Sequence, residues 1–184
     1  MATLTEYDGS MDDTSNFAAG NAEAQGFKID NGKKITGFSV RGSKGNTTPC
    51  TSFTACIYAG GTNPENGTLI KKESFASSGL GNYTATPTFH DFTFTTPAIA
   101  LNNGTTQYYL IISPDDGTGN DVIRWSIDAT SIAYIKGERY YRTSGTWYTS
   151  LITRHNFKIY GDDFSAIRIS PYKKGRLGNS RILI

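Results

Sequence analysis

The sequence predicts an all-β protein, a two-sheet antiparallel β-sandwich of jelly-roll type with extended terminal arms. Three observations lead there. Charged residues make up only 18% of the 184-residue chain, while Gly, Ser, Thr and Asn abound, a composition of many turns and few amphipathic helices. The interior reads as short runs of β-branched and aromatic residues cut by Gly, Asn, Pro and Asp, the alternation of strand and turn expected of a sandwich. No stretch carries a competing 3.6-residue apolar stripe of comparable length.

In chain order the expected strands are 26–30, 35–42, 52–59, 69–75, 88–96, 107–113, 122–127 and 154–160, with shorter pieces at 133–136 and 146–149. Successive strand side chains point to opposite faces, so Phe53, Ala55 and Ile57 form one inward set and Phe92 with Phe94 another. Cys56 then points away from the core. The run from Tyr108 to Ile112 is almost continuously apolar, which predicts a central strand covered on both faces. Turn residues supply the boundaries at Asp30-Asn31-Gly32, Gly60-Gly61, Asn63-Pro64, Asn102-Asn103-Gly104 and Asp115-Asp116-Gly117. The Ala-rich stretch 16–24 is weakened as a helix by Gly20 and is expected to be irregular or a short turn.

Charge divides the chain into three. Glu6, Asp8, Asp12, Asp13 and Glu23 all precede the first base, Lys28, and residues 1–23 are expected to form an acidic N-terminal arm. Residues 24–163 hold the sandwich. Residues 164–184 form a basic C-terminal arm, in which Arg168, Lys173, Lys174, Arg176 and Arg181 follow the final acid, Asp163. With Ile182, Leu183 and Ile184 as apolar anchor, this arm is expected to bind a protein partner, either another copy of the chain or an acidic surface. Nucleic acid is not expected, because no recognised binding motif is present and Tyr172 is the sole aromatic after Phe164. Membrane insertion is not expected either, since no apolar stretch approaches the roughly 20 residues that span a bilayer. The first sixteen residues have neither a basic n-region nor an apolar h-region, so no Sec signal is expected. Cys50 and Cys56 have no His or further Cys near them for a zinc site and are expected to be free thiols.

At this point the residues resemble a family. Residues 24–161 are similar to the choice-of-anchor type of β-sandwich found in phage virion and tail-associated proteins and in bacterial surface proteins. The resemblance rests on Gln25-Gly26-Phe27, Ile35-Thr36-Gly37-Phe38-Ser39-Val40 and Phe53-Thr54-Ala55-Cys56-Ile57-Tyr58-Ala59. It continues through Phe92-Thr93-Phe94-Thr95-Thr96-Pro97, Tyr108-Tyr109-Leu110-Ile111-Ile112 and the closing Phe157-Lys158-Ile159-Tyr160-Gly161. It implies display or binding without catalysis: a virion structural or decoration protein, made in the host cytoplasm and carried on a capsid or tail among other virion subunits. Its alternative is a carbohydrate-binding or host-adhesion module on a virion or cell surface.

No catalytic residue is expected. His90 and His155 have no Ser, Cys or carboxylate motif around them and are expected at the surface or on edge strands. For a surface glycan the expected platform is Tyr140, Tyr141 and Tyr148, in a loop-rich part of the chain, because an aromatic ring offers a sugar an apolar face beside polar edges. Trp125 and Trp147 are expected to serve packing. No cofactor is expected. The oxygen-rich loop with Asp115, Asp116, Asn120 and Asp121 is a candidate Ca²⁺ site, set against the plainer reading of an acidic hairpin loop. Four Asn-x-Ser/Thr sequons, beginning at Asn46, Asn66, Asn82 and Asn103, are near the chance number for this composition.

Overall fold

The computed structural model describes residues 2–30, 32–45, 50–83, 86–100, 105–117, 122–129 and 136–163. Thirteen strands run through them: β1 (Ala2–Tyr7), β2 (Asp13–Phe17), β3 (Ala22–Phe27), β4 (Lys33–Lys44), β5 (Ser52–Ala59), β6 (Thr68–Ala76), β7 (Thr88–Ala100), β8 (Tyr108–Pro114), β9 (Ile123–Asp128), β10 (Arg139–Thr143), β11 (Thr146–Ser150), β12 (Arg154–His155) and β13 (Phe157–Asp163). A single 3-10 turn, Ser77–Leu80, interrupts them.

They form two antiparallel sheets packed face to face, as the composition and alternation predict. One sheet has six strands in the order β11-β10-β3-β8-β5-β6. The other has seven and forks. At Val40, β4 lies between β7 and β13, whereas at Gly42 it lies between β7 and β9. Beyond the fork β1 flanks β13 and β2 flanks β9. Glycine suits this place, because a Cβ on Gly42 would stand 2.6 Å from the Arg124 carbonyl oxygen. Asn156 fills the fork: its N–H donates to the Ser126 carbonyl, while its own carbonyl accepts from the Arg41 N–H and from Trp125 Nε1 at 2.9 Å.

Between the sheets Phe38, Phe53, Phe75, Phe92 and Phe94 pack ring against ring at 5.1–5.9 Å, within the 4.5–7 Å that aromatic pairs prefer. Phe53, Ala55, Ile57, Phe92 and Phe94 are all buried, as their parity predicts. The central strand β8 is covered on both faces: Tyr108, Leu110 and Ile112 join the main core, and Tyr109 and Ile111 join a smaller cluster on the outer face with Ala22, Ala24 and Tyr140. Cys56 packs against that outer cluster. Both cysteines are free, and burial pushes each thiol up to about 11.

The N-terminal segment is not an arm. Residues 2–7 and 13–17 are strands of the forked sheet, and Leu4 and Tyr7 pack on the core. The acids that make it look like a separate unit meet bases of the sandwich itself, in Glu6–Lys158, Asp8–Arg41 and Glu23–Arg139 pairs. The stretch expected to be irregular, 16–24, holds the end of β2, a turn and the start of β3. β10, absent from the expected strands, pairs β3 with β11. Most of the expected piece at 133–136 and the whole of 164–184 lie outside the described residues.

Candidate functional site

Strand β3 reads Ala-Glu-Ala-Gln-Gly-Phe, and its alternation sends Glu23, Gln25 and Phe27 inward and Ala22, Ala24 and Gly26 outward. A carboxylate is therefore carried between the sheets, 4% exposed. Burying it is costly without partners, and it has three. Arg139 on β10 grips both oxygens, with Nε–Oε2 and Nη2–Oε1 at 3.1 Å, Ser15 Oγ donates to Oε1 at 2.6 Å, and His155 Nε2 lies 3.0 Å from Oε2. Burial pushes the Glu23 carboxyl up, but the His155, Arg139 and Ser15 contacts outweigh it and hold the group below its ordinary value.

His155 is fully buried, against the surface position expected for it, stacked on Trp125 with ring centroids 3.9 Å apart. Its backbone N–H donates to Gln25 Oε1 at 2.8 Å. Burial lowers its pKa to about 4, outweighing the pull of Glu23. At neutral pH the cluster thus holds one carboxylate, one guanidinium and a neutral imidazole. The order of contacts is Ser15–Glu23–His155, with the carboxylate in the middle. In a Ser–His–acid triad the imidazole stands between serine and acid; here the serine donates directly to the Glu23 carboxylate, whose oxygens are also held by Arg139 and His155 and whose basicity is lowered by those contacts.

This cluster floors a cleft of about 410 Å³, whose walls include Asn16, Asn21, Tyr141 and Thr143. The β10–β11 hairpin forms one wall through its β10 residues. It turns through Ser144 and Gly145, both at positive φ (51° and 80°), the tight pairing that matches strand twist. Its register sets Tyr141 opposite Tyr148, and the rings stack at 5.3 Å and 20°. The Arg139 guanidinium lies over the Tyr141 ring, 5.5 Å from its centroid. The result is a stack, Arg139–Tyr141–Tyr148, that ends in a ring 48% exposed.

The three tyrosines expected to act together therefore separate. Tyr140 points to the opposite face of the hairpin, is 8% exposed and packs edge-on against Tyr109 at 5.4 Å; burial pushes its phenol up. It belongs to packing, as does Trp125, which is 1% exposed. Trp147 lies on that outer face too, under the 60–67 loop, where Glu65 accepts from Trp147 Nε1 at 3.0 Å and from Arg142 Nη1 at 2.7 and 2.9 Å.

Asp115 and Asp116 do not converge. Asp115 accepts from Ser52, Thr54 and Ser74 hydroxyls, and Asp116 turns to the Thr51 N–H and hydroxyl, contacts that hold its carboxyl below the ordinary value. Asn120 and Asp121 lie outside the described residues, and among the described residues no three His, Cys, Asp or Glu side chains gather as a metal would need. Arg168, Lys173, Lys174, Arg176, Arg181, Ile182, Leu183 and Ile184 also lie outside them.

Sequence reasoning missed Glu23, Arg139, Ser15 and the burial of His155. The available signal was the alternation Ala22-Glu23-Ala24-Gln25, a strand that places its polar residues on the Phe27 side. No family model and no curated protein matches the chain.

Proposed function

We propose that the protein is a non-catalytic display module whose cleft between β2 and the β10–β11 hairpin binds a glycan. One observation carries the reading: the Tyr141 ring lines the cleft with the amide and hydroxyl groups of Asn16, Asn21 and Thr143 and stacks on the exposed Tyr148, so an aromatic surface leads out of a polar cleft. A pyranose presents an apolar C–H face to such a ring and hydroxyls to the amides. The buried Glu23–Arg139 pair fixes the hairpin to the sandwich, so the platform is held in place before a ligand arrives and little ordering entropy is lost on binding. The Ser15–Glu23–His155 order leaves the serine facing a carboxylate neutralised by Arg139 and depressed below its ordinary value, a weak base, which favours binding over catalysis.

The carrier of the module follows from the resemblance of residues 24–161 to choice-of-anchor sandwiches, which favours a virion structural or decoration protein on a capsid or tail, with a cell surface as the alternative. A glycan array followed by calorimetry tests the cleft. Tyr148→Ala should weaken binding about tenfold, roughly 1.4 kcal/mol, while Tyr140→Phe on the far face leaves it unchanged. Absence of any glycan signal from the intact protein, or equal binding by Tyr148→Ala, would sink the reading.

A further inference from the structure

Exposed sheet edges invite pairing with other chains, and proteins guard them with charge, proline or bulges. Three edges here are guarded. The β1 edge is bulged between Thr3 and Thr5 and carries Glu6. The β7 edge contains Pro97, and its pairing with β4 shifts register between Ile35 and Gly37. The β6 edge carries Lys71, Lys72 and Glu73, with a register shift at Ile57/Tyr58.

The β11 edge has none of these protections. Thr146-Trp147-Tyr148-Thr149-Ser150 has no charge and no proline, its register with β10 is unbroken from Arg139↔Ser150 to Thr143↔Thr146, and among the described residues no strand lies on its outer side. Leu151 and Ile152, 65% and 63% exposed, extend the uncharged surface. The Arg154 guanidinium donates to the carbonyls of Ser150, Leu151 and Thr153, which holds this turn with both side chains outward.

We propose that β11 pairs antiparallel with β11 of a second copy about a two-fold axis at Tyr148, so that each copy completes the other's glycan platform. The two-residue turn fixes the geometry. In such a hairpin the flanking residues, Thr143 and Thr146, exchange both backbone hydrogen bonds, so Tyr148 also points its backbone groups at β10 while Trp147 and Thr149 point theirs outward. A two-fold at Tyr148 sets Trp147 of each copy opposite Thr149 of the other, and these pairs supply the ladder bonds. Tyr148 then meets Tyr148 of the second copy as a non-hydrogen-bonded pair, the closer kind, with Cα atoms about 4.5 Å apart and side chains on one face.

That face is the cleft face. The tyrosines of the two copies form one row, Tyr141, Tyr148, then Tyr148 and Tyr141 of the second copy, across a continuous sheet of six strands from each copy. An isologous contact of this kind closes on itself and gives a dimer, and the absence of charge on β11 lets identical strands meet without repulsion. The gain for a long glycan rests on the proposed glycan reading; the dimer does not.

Sedimentation from micromolar to millimolar protein should show a reversible monomer–dimer equilibrium, lost in Thr149→Pro, which removes an outward N–H and leaves the β10 ladder intact. Tyr148→Cys provides an independent measurement, because Cα atoms at that separation can form a disulfide. Mild oxidation should give a covalent dimer, whereas Thr146→Cys, whose two copies lie too far apart in this register, should give no cross-link. A wild-type protein that is monomeric throughout, or a Tyr148→Cys protein that does not cross-link, overturns the proposal even if glycans bind. With the dimer in place, a long oligosaccharide should bind the wild type at least tenfold tighter than Thr149→Pro, and a monosaccharide should bind both equally. If the dimer forms and no glycan binds, the pairing stands and the glycan reading fails.

Discussion

The imidazole of His155 lies flat on Trp125 with Glu23 at its edge, and burial keeps it neutral. In the unfolded chain it takes up a proton near its ordinary value of 6.5, and in the fold only near about 4. Between those pH values the unfolded chain binds more protons, so stability falls as pH falls, by about 3 kcal/mol in all. Glu23, whose carboxyl is also depressed, adds a further loss in the same direction once pH drops below its ordinary value of 4.5. Urea midpoints measured from pH 7.5 down to pH 4 should decline accordingly, and His155→Gln should flatten the upper part of the curve. A wild-type profile that is level across this range would contradict the burial of a neutral imidazole. This residue also marks the limit of legibility at its scale. Phe53, Ala55, Ile57, Phe92 and Phe94 could be assigned from local alternation alone, because an apolar side chain in a strand needs only a second sheet above it. Glu23 and His155 stand 132 positions apart in the chain, and each is tolerable inside only because the other elements bring Arg139 and Ser15 to it. Nothing in the local sequence of either announces such a partner.

Elements differ in how far their neighbours decide them. β5, β8 and the start of β7 are legible because their apolar alternation is strong. β1, β2 and β10 are poor in large apolar residues and are strands because β13, β9 and β3 offer them a ladder. For the acidic N-terminal segment, charge pointed outward to a partner while pairing placed it in the sheet. The 60–67 loop shows the same dependence. It is held over the outer face of the six-stranded sheet by the Tyr109 hydroxyl, which donates to the Gly61 carbonyl at 3.2 Å, and by Glu65 on Arg142 and Trp147. Glu65→Ala should release the Trp147 end of this latch. Tryptophan emission should shift to the red and cleavage within 60–67 should quicken, while the melting temperature changes little, since exposed ion pairs contribute about 0–1 kcal/mol. Unchanged emission would show that the loop is held by other contacts, because Trp125, buried against His155, cannot report on it.

The sheet topology joins the two ends of the described chain. β1 pairs with β13 from Ala2↔Gly161 to Tyr7↔Phe157, and β2 pairs with β9, so the forked sheet closes only after nearly all of the described chain is available. Pairings this distant in sequence predict slow folding, with refolding on the order of milliseconds to seconds or slower. They also predict where the chain can be cut. A protein ending at Asp163 keeps every described strand and should melt as the full chain does. It also lacks residues 164–184, the segment expected from charge to drive assembly, so a dimer that survives the cut is assigned to the sandwich and one that is lost is assigned to that segment; the β11 pairing predicts survival. A protein ending at Thr153 loses β12 and β13, and with them His155 on Trp125, Asn156 in the fork, Phe157 and Ile159 in the core, and the ladder that holds β1. Removing two fully buried large side chains alone costs about 5–10 kcal/mol, which is comparable to the whole stability of a domain. Circular dichroism and thermal melting should therefore find no cooperative transition in the shorter protein; a sharp melt there would show that the six-stranded sheet holds its fold without the closing strand.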